Sequence, residues 1–236
     1  MKVGIMQPYF FPYSGYFSLI KHTDRFILSD GVQYIHQGWI ARNRILKPGE
    51  GWQYIVVPLQ KFQHTTLIKD VLIDNSKKWK EQILAQLYHY KKKASHFNSV
   101  NELMKEIFST DYQDIVTLNQ VSLSKTCEYL GFEKKIEVFS QMNLNLLPVN
   151  APDEWSLNTC LAIDGAREYW NLPGGQSFYD KQKYEKANVK LKFQIPQSII
   201  YNQKRNTFED KLSIIDVLMF NSVNDVNAIL DSYLLD

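Results

Sequence analysis

Cysteine is almost absent from this chain. Cys127 and Cys160 are the only two in 236 residues, each inside a helical pattern and neither at metal-ligand spacing. That excludes a disulfide framework and a Cys/His metal site, and it leaves two reduced, buried thiols and no metal. Long apolar runs are also missing. No stretch approaches the roughly 20 residues of a membrane span, and the first residues carry no basic segment with a cleavage site. A cytoplasmic protein without membrane insertion is expected. Charge of one sign is scarce as well: 27 Lys and Arg against 25 Asp and Glu give a net +2. That balance argues against extensive nucleic-acid binding and leaves room for limited tRNA contact. Repeats and low-complexity linkers are absent, so the expectation is one domain over 1–236 with a helix-rich subregion at about 76–131.

Aromatic residues are plentiful, at 14% of the chain, and their placement is unusual. Residues 4–20 read GIMQPYFFPYSGYFSLI. A short apolar strand, KVGIM, gives way to an uncharged stretch holding two prolines and four rings, then to a helix with Phe17 and Ile20 on one face. A connecting loop is ordinarily polar, because its backbone must find water. RFILSD follows as a second strand, completing a βαβ unit and implying parallel pairing. Further strands are read at WQYIVVPL, IKDVLID, KKIEVFS and VKLKFQI. Helices are read from NSKKWKEQ with an Asn or Ser cap, in SVNELMKEIFS, up to Gly131, through DEWSLNTCLAIDGAREYW, and twice near the C-terminus.

In parallel α/β sheets ligands bind beyond the carboxyl ends of the strands. Three stretches carry candidate chemistry there. In the aromatic loop, Gln7 offers an amide, while Tyr9, Tyr13 and Tyr16 are wall residues if the loop is a pocket and a plug if it is core. In SDGVQYIHQGWIARNRI, Asp30 and His36 are candidate bases and Gln33 a polar contact. Trp39 is a stacking face there, and Arg42-Asn43-Arg44 is a phosphate- or carboxylate-binding cluster. In NLPGGQSFYD, Gly174 and Gly175 expose amides in a tight turn beside Tyr179 and the third candidate base, Asp180. His64 can line a rim. Ser213 or Asp210 is positioned to cap a helix after Tyr201, Gln203, Lys204 and Arg205.

The layout resembles that of nucleotidyltransferases and pantothenate-synthetase-like ligases, a Rossmann-like parallel sheet with an inserted or C-terminal helical part. Their first strand leads to a His-x-Gly-His motif that holds ATP phosphates. Here Tyr13 and Tyr16 occupy both histidine positions, and a phenol carries no positive charge near neutral pH. More specifically, KVGIMQPYFFPYSGYFSLI, DRFILSDGVQYIHQGWIARNRI, LPGGQSFYD and LSIIDVL resemble the WbqC-like protein family across essentially the whole chain. That family is encoded in bacterial O-antigen, lipopolysaccharide and other surface-polysaccharide gene clusters. The resemblance implies an aminoacyl (glycyl) or acyl transferase acting on a nucleotide-linked amino sugar. It implies no bound cofactor but requires an activated acyl donor: an aminoacyl-tRNA, a thioester or an acyl-adenylate. An ATP-dependent ligase and a non-catalytic sugar-nucleotide-binding module are the alternatives, and an oligomer is left open.

Overall fold

The computed structural model describes residues 1–236. Its frame is a six-stranded sheet. In chain order its early elements are β1 (Lys2–Met6), α1 (Ser14–His22) and β2 (Arg25–Leu28), then the ribbon strands β3 (Arg42–Leu46) and β4 (Trp52–Val56). Three helices follow, α2 (Trp79–Leu87), α3 (Phe97–Phe108) and α4 (Ile115–Tyr129). The chain then returns through β5 (Ile136–Val138), α5 (Glu154–Leu161), β6 (Glu168–Asn171), α6 (Lys181–Lys186) and β7 (Lys190–Pro196). It ends in α7 (Ile214–Phe220), α8 (Val223–Asp231) and β8 (Tyr233–Leu235). The sheet order is β5-β2-β1-β6-β7-β8, parallel except for β8, which lies antiparallel on β7. The β3–β4 ribbon stands outside it. No helix is long and apolar enough to cross a membrane.

Alternation along the strands builds two cores. Phe26 and Leu28 of β2 and Trp170 of β6 face the larger one, while Val3, Ile5, Ile27 and Tyr169 face the smaller. The larger core also takes the inward faces of α2, α3, α4 and α7. Burying each such aliphatic or aromatic side chain contributes about 1.5–3 kcal/mol. Several helix ends are set by side chains: Asp114 caps α4, Ser213 caps α7, and Ser222 with Asp225 forms a capping box on α8. Lys21 and His22 close α1, where positive charge suits the dipole.

The structure corrects five expectations of secondary structure. Residues 168–171 form β6, not the tail of a helix: α5 stops at Leu161, Gly165 turns the chain with φ +76°, and Glu168–Asn171 then pairs with both β1 and β7. Arg42–Leu46 is a strand rather than a loop, because Ile45 and Asn43 fill the core side of a ribbon paired with β4. The IKDVLID segment is a 3-10 turn with isolated bridges, Leu59 to Ile73 and Leu72 to Asp114. α2 lacks the expected cap, since Asn75 instead donates to the Tyr112 carbonyl and accepts from the Trp79 indole. The last residues form β8 on the sheet edge.

Candidate functional site

A cleft of about 1590 Å³ opens at the carboxyl ends of the parallel strands. Met6 and Gln7 at the end of β1, Ser29 after β2, Asn171 and Leu172 at the end of β6, and Ile195 and Pro196 of β7 form its base. This is where an α/β sheet gathers ligands, because strand ends and helix starts converge there.

The loop from Gln7 to Tyr13 is one wall, and its backbone is fixed by buried amides. Asn119 donates to the carbonyls of Pro8 (2.7 Å) and Ile40 (2.9 Å). Asn43 donates to those of Phe10 and Phe11, both at 2.9 Å. Ser213 Oγ adds a bond of 2.7 Å to Phe11, whose φ of +40° is a left-handed conformation that a Phe adopts only under such constraint. The rings then divide. Phe10, Phe11 and Tyr16 are fully buried core. Tyr9 and Tyr13 line the cleft, and neither hydroxyl has a partner within the protein. Burial, helped by the neighbouring Tyr9 phenol, pushes the Tyr13 hydroxyl up to about 12. Gly15 makes room for this arrangement: a Cβ there would meet the Tyr13 ring at 2.5 Å and Pro196 at 2.6 Å.

A second part of the lining carries charge. Arg44 lines the cleft with its guanidinium over Trp39 (5.5 Å) and Trp52 (5.1 Å), and it donates to the Lys211 carbonyl at 3.0 Å. No carboxylate pairs with it, and its Nε has no partner. Lys211, Glu209 and Asp210 lie alongside. His36 stacks on Phe62 at 4.8 Å, and Gln33 holds His64, its amide donating to the His64 carbonyl at 2.7 Å.

Among the residues singled out from sequence, the cleft brings together Gln7, Tyr9, Tyr13, Gln33, His36, Trp39, Asn43, Arg44, Gly174, Gly175 and Tyr179. Four others lie elsewhere. The Tyr16 phenol donates to the Gln7 carbonyl at 2.8 Å from within the core. Arg42 lies outside the cleft, over the Tyr54 ring and bonded to the Gln37 carbonyl. Asp30 is 1% exposed and accepts from the Ser140 amide (2.9 Å) and hydroxyl (2.5 Å), so it is a brace rather than a base. Asp180 caps α6 by accepting from the Gln182 amide at 2.9 Å. Of the three candidate bases, only His36 lines the cleft.

Two polar groups escaped sequence reasoning. Asn171 donates to the Tyr169 and Tyr179 phenols at 2.8 and 2.7 Å, fixing Tyr179 at the cleft wall. Its only signal was its place just before Leu-Pro-Gly-Gly. Asp216, fully buried in the first turn of α7, accepts from Tyr90 (2.6 Å), Tyr201 (2.6 Å) and Gln203 (2.9 Å). Burial raises its carboxyl to about 6 even though those hydrogen bonds oppose the shift. Through Tyr201 it anchors the 197–212 segment that closes one side of the cleft. Both thiols are buried and lifted to about 12 by desolvation, which removes them as nucleophiles.

The model of the WbqC-like protein family matches residues 7–228. An uncharacterized protein of Mycobacterium tuberculosis is 30% identical over 223 residues, which cover 93% of this chain and 93% of the relative. No solved structure matches the chain.

Proposed function

The chain belongs to the WbqC-like protein family, and from that premise and the chemistry of the cleft we propose that it transfers an acyl or aminoacyl group to the amine of a nucleotide-linked sugar in surface-polysaccharide biosynthesis. One observation carries the reading. A rigid aromatic wall with two partnerless phenols, Tyr9 and Tyr13, shares one cleft with Arg44, an arginine that has no carboxylate partner. Rings stiffened by proline contact a sugar or base at low entropic cost, and an arginine without a carboxylate is suited to a pyrophosphate. The volume of about 1590 Å³ exceeds the roughly 300–1,000 Å³ of ordinary small-molecule sites, which suits an acceptor and a donor end together.

The reaction in this reading is direct. The sugar ammonium gives a proton to His36 or His64, and the amine attacks the acyl carbonyl. A C–N bond forms, the bond from that carbonyl to the leaving oxygen or sulfur breaks, the leaving group takes the second proton of the attacking nitrogen, and the histidine returns the first to solvent. No acyl-enzyme is needed, consistent with the buried thiols. ATP chemistry of the nucleotidyltransferase kind finds little support in the first loop, because the phenol at one former imidazole position, Tyr16, is engaged by the Gln7 carbonyl. Resemblance to that fold is therefore taken as architectural. The non-catalytic binding module is favoured by a separate observation, that Asp30 and Asp180 are both structurally engaged. Incubating the protein with a UDP- or dTDP-linked amino sugar and glycyl-tRNA, a glycyl thioester or glycine with ATP separates these readings by mass spectrometry. A gain of one acyl residue on the sugar nucleotide supports transfer. Binding without any mass change in all three mixtures supports the module, and AMP or pyrophosphate release supports the ligase.

A further inference from the structure

We propose that the outer face of the β3–β4 ribbon binds the single-stranded 3′ end of an RNA and delivers its terminal acyl group into the cleft, which makes an aminoacyl-RNA the donor. This rests on the transfer reading above and names its second substrate.

The ribbon has two unlike faces. Asn43, Ile45 and Ile55 point inward and are buried. Arg42, Arg44, Trp52 and Tyr54 alternate with them and point outward, as the two-residue period of a strand requires. There they interleave. The Arg42 guanidinium lies 4.3 Å from the Tyr54 centroid, Arg44 lies 5.1 Å from Trp52 and 5.5 Å from Trp39, and Trp52 meets Tyr54 at 4.9 Å. Trp39 and Trp52 are each 38% exposed. Each guanidinium is fixed by one carbonyl, that of Gln37 or Lys211, and neither has a carboxylate partner. Arginines held flat against exposed rings, with N–H groups left over, match a chain of stacked bases and phosphates.

The strip continues past the ribbon's turn. Arg205 donates to the Gly51 carbonyl at 2.8 Å and to that of Lys47, and Lys93 reaches the Lys204 carbonyl at 3.5 Å. None of Arg42, Arg44, Lys93 and Arg205 forms an ion pair. Glu50 and Glu209 lie near the same turn but pair with none of them. Four cations without an ion pair thus lie along this strip of a chain whose net charge is +2. His89, packed under that edge, is lowered by burial and by the positive field of Arg205 and Lys93.

Three features favour a single-stranded RNA end over a single nucleotide or a duplex. Three rings and two arginines exceed what one base and one pyrophosphate engage. A duplex would hide the base faces that the rings require. Arg44 and Trp39 belong both to the strip and to the cleft, so a strand lying on the ribbon ends in the cleft. There the sugar amine attacks the ester carbonyl, the C–N bond forms, the ester C–O bond breaks, and the ribose oxygen takes the proton.

Fluorescence anisotropy with a 5′-labelled single-stranded RNA hexamer ending in CCA tests this. Its duplex form, coenzyme A and a UDP-linked amino sugar serve as separate arms. The single strand is expected to bind, the duplex to bind more weakly, and affinity to fall about sevenfold between 50 and 200 mM salt for two phosphate contacts. Arg42→Gln and Trp52→Ala should each weaken the single strand about fivefold or more, with melting curves showing both variants folded. Absence of single-strand binding, equal binding of the duplex, displacement of the RNA by coenzyme A at equal affinity, or wild-type affinity in both variants overturns the proposal. Sugar-nucleotide binding without RNA binding refutes the strip and spares the cleft. RNA binding without sugar-nucleotide binding does the reverse.

Discussion

The Tyr16 phenol donates to the Gln7 carbonyl at 2.8 Å, across a loop whose other two tyrosines leave their hydroxyls facing the cleft. The loop and the start of α1 thus use the same residue type as wall and as core. Tyr16→Phe leaves a largely buried carbonyl without its donor and should cost about 1–2 kcal/mol in chemical denaturation while leaving ligand affinity intact. Tyr13→Phe should leave stability within about 0.5 kcal/mol and weaken ligand binding by about 1 kcal/mol. The reverse pattern would assign the roles wrongly.

Asn43 holds the loop from behind, and removing its amide strands the Phe10 carbonyl in the core. Asn43→Ala should lower unfolding free energy by about 1–3 kcal/mol. Hydrogen exchange should then show faster exchange at the Phe10 amide on the same loop, which donates to the Trp39 carbonyl. An unchanged protection pattern would mean that the loop is held by its prolines alone.

Gly15→Ala places a methyl 2.5 Å from the Tyr13 ring and 2.6 Å from Pro196. Relieving that overlap must move the ring or the end of β7, at about 1–3 kcal/mol. Reduced melting temperature together with reduced ligand affinity is the expected result. Loss of stability alone would separate the ring's position from binding.

Asp216 supplies a pH signature. Its carboxyl titrates near 6 in the fold against 3.8 as the ordinary value, so the folded chain holds that proton more tightly. The stability it contributes is full below 3.8 and is lost as pH rises through about 6. The stability of wild type relative to Asp216→Asn should therefore decline between about pH 4 and pH 7, by on the order of 2–3 kcal/mol. The groups facing this carboxylate are Tyr90, Tyr201, Gln203 and, at longer range, Arg205. A difference that stays flat with pH would show that Asp216 is ionised in the fold.

What the sequence revealed follows from which signals are local. The β1–loop–α1–β2 unit was legible because Val3 and Ile5 alternate and Phe17 and Ile20 recur at helical spacing within thirty residues. The four residues of β6 were hidden, since Tyr169 and Trp170 continue a helix-like pattern and only pairing with β1 and β7 makes them a strand. Arg42 and Arg44 looked like a basic loop because the buried residues of their short strand, Asn43, Ile45 and Leu46, show no sustained alternation. The site divides in the same way. Trp39, Arg44 and the aromatic wall announced themselves by composition. Asp30 looked like a strand-end base, and its engagement depends on Ser140, 110 residues away. Asp216 sat unnoticed within IIDVL because its partners come from Tyr90 and Tyr201.

Calorimetry with a UDP- or dTDP-linked amino sugar and with the corresponding free nucleoside, on wild type and on Arg44→Gln, tests the central claim most directly. The sugar nucleotide should bind wild type about tenfold or more tightly than the nucleoside, since a charge-assisted contact contributes about 1.5–3 kcal/mol, and Arg44→Gln should erase that advantage. Equal affinities for the two ligands, unchanged in the variant, would contradict the assignment of this cleft to a nucleotide-linked sugar.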